Sequence, residues 1–128
     1  MFKVAQMVLG SGEINAAGTA KSYTYIFSMP GKWLIRSAKL VPSAAVTANG
    51  TNFVTATVSN VTTSTTITSR SYAATNSVAD TPETLTAPTG LAAVLTSGDV
   101  VKIAMAHSGS GLATQTVVVL ELEQAPLP

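Results

Sequence analysis

The chain holds a single histidine, His107, so proton-relay or nucleophilic chemistry would have to be built around it. A hydrolytic triad needs a serine and a carboxylate converging on that imidazole. Asp99 and Ser110 are at hand, but a strand pattern separates Asp99 from His107. Ser110 sits in the glycine loop His107-Ser108-Gly109-Ser110-Gly111 rather than on a strained elbow. A histidine so placed is expected to be a surface-loop residue. Glu121 and Glu123 share a face of the last strand, and a carboxylate pair could serve glycoside hydrolysis if aromatic subsites surrounded it. None do, so a solvated face is expected there. Glu13, Asp80, Glu83 and Asp99 show no calcium-loop spacing and give His107 no companion as a metal ligand. There is no cysteine, hence no disulfide framework and no thiolate metal site. Gly10-Ser11-Gly12 and Gly109-Ser110-Gly111 lack the following helix and phosphate-reaching lysine of nucleotide loops. The sequons at Asn49 and Asn60 are those expected by chance in a Thr-rich chain. The reading is no catalytic residue, no metal and no cofactor: not an enzyme.

Composition points the same way. Charged residues are only 10% of the chain against 46% hydrophobic, and the mean hydropathy is +0.37. That is well below the ~25% charge of ordinary soluble domains. Thr, Ser and Ala make up the difference, giving a neutral surface that costs little to desolvate against a partner, although Thr also simply suits strands. With a net charge of +1 and scattered lysines and arginines, no basic run offers a nucleic-acid footprint. Gln6 and Glu13 interrupt the N-terminal apolar stretch before a signal-peptide core develops. The longest aliphatic run, Val117 to Leu120, is far short of the ~20 residues of a membrane span, so no membrane partner is expected.

The 128 residues are the size of one domain. The patterning is strand-like from end to end, with no capped helical stripe. Val4 to Leu9 reads as a first strand closed by Gly10-Ser11-Gly12. Tyr23, Tyr25, Phe27 and Met29 alternate up to Pro30-Gly31, where a hairpin to Trp33 is expected. From Trp33 to Val41 the alternation breaks around Ser37, which a bulge would repair. After the Asn49-Gly50 turn, Val54, Ala56 and Val58 form one apolar face. Thr65 to Tyr72 is weakly apolar and suits an edge strand or one facing a partner. Pro82 and Pro88 leave room for a short strand near Glu83 to Thr86, and Leu91 to Leu95 for one helical turn. Val101, Ile103 and Met105, then Val118, Leu120 and Leu122, complete about eight strands. The fold class is therefore all-β: an antiparallel β-sandwich, jelly-roll-like, its core over residues 22–123, a short tail at 124–128, and residues 1–21 either an N-terminal arm or the first strand.

Two stretches, Pro30 to Asn60 and Ser97 to Glu123, resemble the jelly-roll head decoration or cement proteins of tailed bacteriophages. The likeness lies in an early strand after a glycine turn, the strand at Thr51-Asn52-Phe53-Val54-Thr55, and Gly98-Asp99-Val100 opening a late strand. A glycine-containing loop and a valine-rich terminal strand follow. It spans roughly residues 22 to 123 and leaves Met1 to Lys21 uncovered. The family has no catalytic residues to carry over. The resemblance implies a virion protein, made in the host cytoplasm, that binds the outer surface of the capsid and clamps neighbouring major capsid protein subunits together.

Low charge and a weak edge strand also predict self-association as a homodimer or homotrimer. The residues expected to bind partners are Phe2, Val4, Met7, Val8 and Leu9, apolar and set off from Ser22 by a long connection, together with Tyr72. The rival reading is a carbohydrate- or receptor-binding module, whose stacking platform would be sought at Trp33 and Tyr72.

Overall fold

The computed structural model describes residues 3–11 and 20–125. Among these described residues, nine strands and one 3₁₀ turn follow in the order β1 (Val4–Gly10), β2 (Lys21–Ile26), β3 (Lys32–Pro42), β4 (Phe53–Asn60), β5 (Thr65–Ser71), β6 (Glu83–Leu85), η1 (Gly90–Ala93), β7 (Val94–Thr96), β8 (Val100–Ser108) and β9 (Thr116–Gln124). All the pairings are antiparallel. They build one sheet in the order β1-β9-β3-β6, with β7 also on β3, and a second in the order β2-β8-β4-β5. Chain neighbours thus repeatedly lie in opposite sheets, which is the wrapping of a jelly-roll sandwich.

β6 and β7 pair with Ala38–Leu40 and Lys32–Leu34 respectively, so together they occupy a single strand position beside β3. Pro88 and the 3₁₀ turn interrupt that position, and this explains why nine short strands stand where about eight were expected.

Period-two alternation decides what is inside. β4 buries Val54, Ala56 and Val58, β8 buries Val101, Ile103 and Met105, and β9 buries Val118, Leu120 and Leu122, with Thr, Ala and Glu on the other faces. β3 is the exception. Trp33 and Ile35 point inward, the register shifts between Ile35 and Ser37, and Ala38 and Leu40 point inward after it. The bulged residue flips the parity, so an irregular sequence pattern still gives one continuous buried face. A second register shift, opposite Val58 and Ser59, buries Ile67 and Thr68 together in β5, which is indeed an edge strand.

One local expectation fails. β2 and β3 belong to different sheets, so Pro30-Gly31 does not join a hairpin but carries the chain across the sandwich, Gly31 supplying φ +92. The pattern at Pro30-Gly31 marks a turn equally well in both cases; only strand pairing distinguishes them.

Val4–Gly10 pairs along its length with β9 of this same sandwich, from Glu123 to Val117. Residues 12–19 lie outside the described residues.

Candidate functional site

The residues that could have done chemistry are held apart. His107 is exposed near the end of β8, its Nδ1 3.1 Å from the Gly109 carbonyl. Asp99 is buried before the opposite end of that strand, where its Oδ2 accepts hydrogen bonds from Asn60 Nδ2 at 2.9 Å and the Thr96 amide at 3.0 Å. This carboxylate fixes the turn at Gly98, which has φ +94, and is turned away from any imidazole. On the outer face of the β1-β9-β3 sheet, Glu123 pairs with Arg36 at 2.7 Å and Glu121 with Lys39 at 3.3 Å. These are exposed ion pairs contributing at most ~1 kcal/mol each. Among the described residues no group of three His, Cys, Asp or Glu could hold a metal ion.

The aromatic platform is not at the surface. Trp33 is 2% exposed, and its Nε1–H donates to the Pro30 carbonyl at 3.0 Å. Tyr72, expected at a partner surface, is 0% exposed in the chain and packs in the core. Burial pushes its phenol above the ordinary value, with smaller opposing influences from Ser77, Arg70 and Thr114. The Arg70 guanidinium lies 4.3 Å from the ring centroid. Arg70 also donates to Glu83 Oε1 at 2.8 Å and Ser77 Oγ at 2.9 Å, and to the carbonyls of Ser71, Thr75 and Asn76. Ser77 in turn donates to Glu83. This cluster ties β5 of one sheet to β6 of the other.

β1 divides the remaining partner candidates by parity. Leu9 is fully buried in the core and Met7 half-buried against it. Val4 and Val8 point the other way and are 80% and 54% exposed. Phe2 lies outside the described residues. Along the outer face Val8 stands level with Val119, and Val117 with Val41. A depression of about 380 Å³ lined by Val4, Gln6, Arg36, Glu121 and Glu123 opens on that face.

Sequence reasoning missed Ile26, 70% exposed at the end of β2. With Met7, Val8, Tyr25, Phe27 and Met29 it lines a cleft of about 270 Å³ where β1 and β2 approach each other. An aliphatic residue on the polar side of an alternating strand was the available signal. The outer face of the second sheet presents Thr55, Thr57 and Ser59 of β4 beside Ala104 and Lys102 of β8 and Ser69 and Ser71 of β5. It is an almost uncharged surface.

No protein-family model and no curated protein matches the sequence. Among solved structures, the chain is similar to a chain of the cyanophage Pam1 capsid asymmetric unit, at 18% identity and a TM-score of 0.54, over 97% of this chain and 85% of that one. It also aligns with a chain from infectious bursal disease virus Gx strain, at 13% identity and a TM-score of 0.43, spanning 96% of this chain but only 32% of that one. The first likeness establishes the fold they share.

Proposed function

We propose that the chain is a non-enzymatic capsid protein of a tailed bacteriophage: a decoration, or cement, protein that binds the outer surface of the head and stabilises contacts between major capsid protein subunits. The observation that carries this reading is the likeness to a chain of the cyanophage Pam1 capsid asymmetric unit, which runs through nearly the whole of both chains. Two further features support it. The polar residues that could react are spent on structural pairs, and both outer faces are poor in net charge, so they desolvate at low cost against a coat subunit. The effect on a head is additive, since many symmetry-related copies each contribute a modest contact. The carbohydrate-binding reading loses its platform with Trp33 and Tyr72 inside the core.

The test is to add the purified protein to expanded heads from a phage lacking its gene. Co-sedimentation and a higher temperature of DNA release are expected. Heads that neither bind the protein nor change their release temperature would overturn the reading.

A further inference from the structure

The pairing of β1 with β9 fixes which of its backbone groups are free. The Gln124 amide donates to the Lys3 carbonyl at 2.8 Å and the Ser11 amide to the Thr116 carbonyl at 2.9 Å. In an antiparallel ladder the hydrogen-bonded residues alternate, so the odd-numbered residues of β1 face β9 with both backbone groups and the even-numbered ones face away. Gly10 agrees: its N–H and C=O turn from β9 and are both taken by the Tyr25 hydroxyl, at 3.0 Å each. Among the described residues, Val4, Gln6 and Val8 are left presenting backbone donors and acceptors along an open edge. Their side chains lie on the outer face, where both valines are exposed.

β1 is also the edge with the least protection against pairing. It contains no charge, no proline and no bulge, whereas β2 begins at Lys21, β5 carries Arg70 and a bulge, and β6 and β7 are three residues each.

We infer that this edge is the seam of a two-fold homodimer, in which two copies of β1 pair antiparallel about Gln6 so that Val4 of each lies opposite Val8 of the other. This register alone uses every free group of the strand. Gln6 pairs with itself and Val4 with Val8, all even-numbered, so donors meet acceptors throughout. A register centred on Met7 or Val8 would require Gly10, whose groups Tyr25 already holds. One centred on Ala5 would set Val8 against a residue preceding the strand. The chosen register covers both exposed valines with each other, places Ala5 against Met7 on the inner side, and brings no like charges face to face. The contact is isologous and closes both edges at once, so it stops at two copies. It does not depend on the capsid reading, since it needs only the chain itself.

Sedimentation velocity on the full chain, from micromolar to millimolar concentration, tests it. The wild type is expected to show a monomer–dimer equilibrium. Gln6→Lys and Gln6→Glu, on an exposed outer-face position, each set like charges directly opposite one another and should weaken the dimer about tenfold or more. An equimolar mixture of the two variants should restore it, which shows that each variant is folded. Amide exchange should be slowed at Gln6 and Val8 when the dimer forms. A wild type monomeric throughout, variants that associate as the wild type does, a mixture that stays monomeric, or protection confined to other strands would each overturn the inference.

Discussion

The two flanks of the sandwich close in opposite ways. On one, Arg70 reaches from β5 to Glu83 of β6, stacks on Tyr72 and gathers the 71–77 loop, with the pair only 11% and 23% exposed. On the other, β1 meets β2 through the Tyr25 hydroxyl and half-buried Met7 and Met29, beside a cleft and an edge that water reaches. The sealed flank fastens sheet to sheet within the chain. On the open flank Val4, Val8 and Ile26 stay exposed.

Breaking the sealed flank should cost most. Arg70→Ala leaves Glu83 and Ser77 without their partner in a part-buried site and also releases several exposed loop carbonyls. A loss of about 3 kcal/mol in urea unfolding is expected, near the low end for a buried pair because this one is partly wet. The same kind of deletion on the open flank should cost less. Tyr25→Phe removes both hydrogen bonds to Gly10, but water can replace them at an open edge, so about 1 kcal/mol is expected. That variant should also free Gly10 for pairing, and so relax the register of any β1 dimer. If Tyr25→Phe proved as costly as Arg70→Ala, the contrast between the flanks would fail.

Tyr72 sharpens the comparison through pH. Its phenol is raised by burial, so the unfolded chain ionises near the ordinary value of about 10 while the folded chain remains protonated. The stability linked to this group is therefore fully present below that pH and lost as pH rises through the folded value. Unfolding at alkaline pH should be steeper in the wild type than in Tyr72→Phe. At neutral pH the same substitution should change stability by about 1 kcal/mol or less, since the hydroxyl makes no hydrogen bond of normal geometry. The smallest effect is expected at His107, where an exposed loop side chain replaced by alanine should shift stability by no more than ~0.5 kcal/mol in the same unfolding experiment.

Much of the fold is legible in the sequence itself. Alternation in β4, β8 and β9 named the buried residues correctly, because a half-buried strand must put its apolar set on one face. The Ser37 bulge was visible as a break in that alternation, and the weak apolar pattern of Thr65 to Tyr72 as an edge strand.

Other properties depended on pairing across long sequence separations. Pro30-Gly31 marks a turn, but whether the chain returns in the same sheet or crosses to the other depends on β8 and β9 claiming β2 and β3, some seventy or more residues later. Tyr72 carries no mark of its burial, since Arg70, Ser77 and Glu83 close over it only when the two sheets meet. Val4 and Leu9 look alike as apolar residues of one segment, and it is the register against β9 that sends Leu9 into the core and leaves Val4 outside. Side-chain alternation is written residue by residue and can be read from the chain alone. Which edge is free is settled by every other strand, and it became visible only once the sheets had closed.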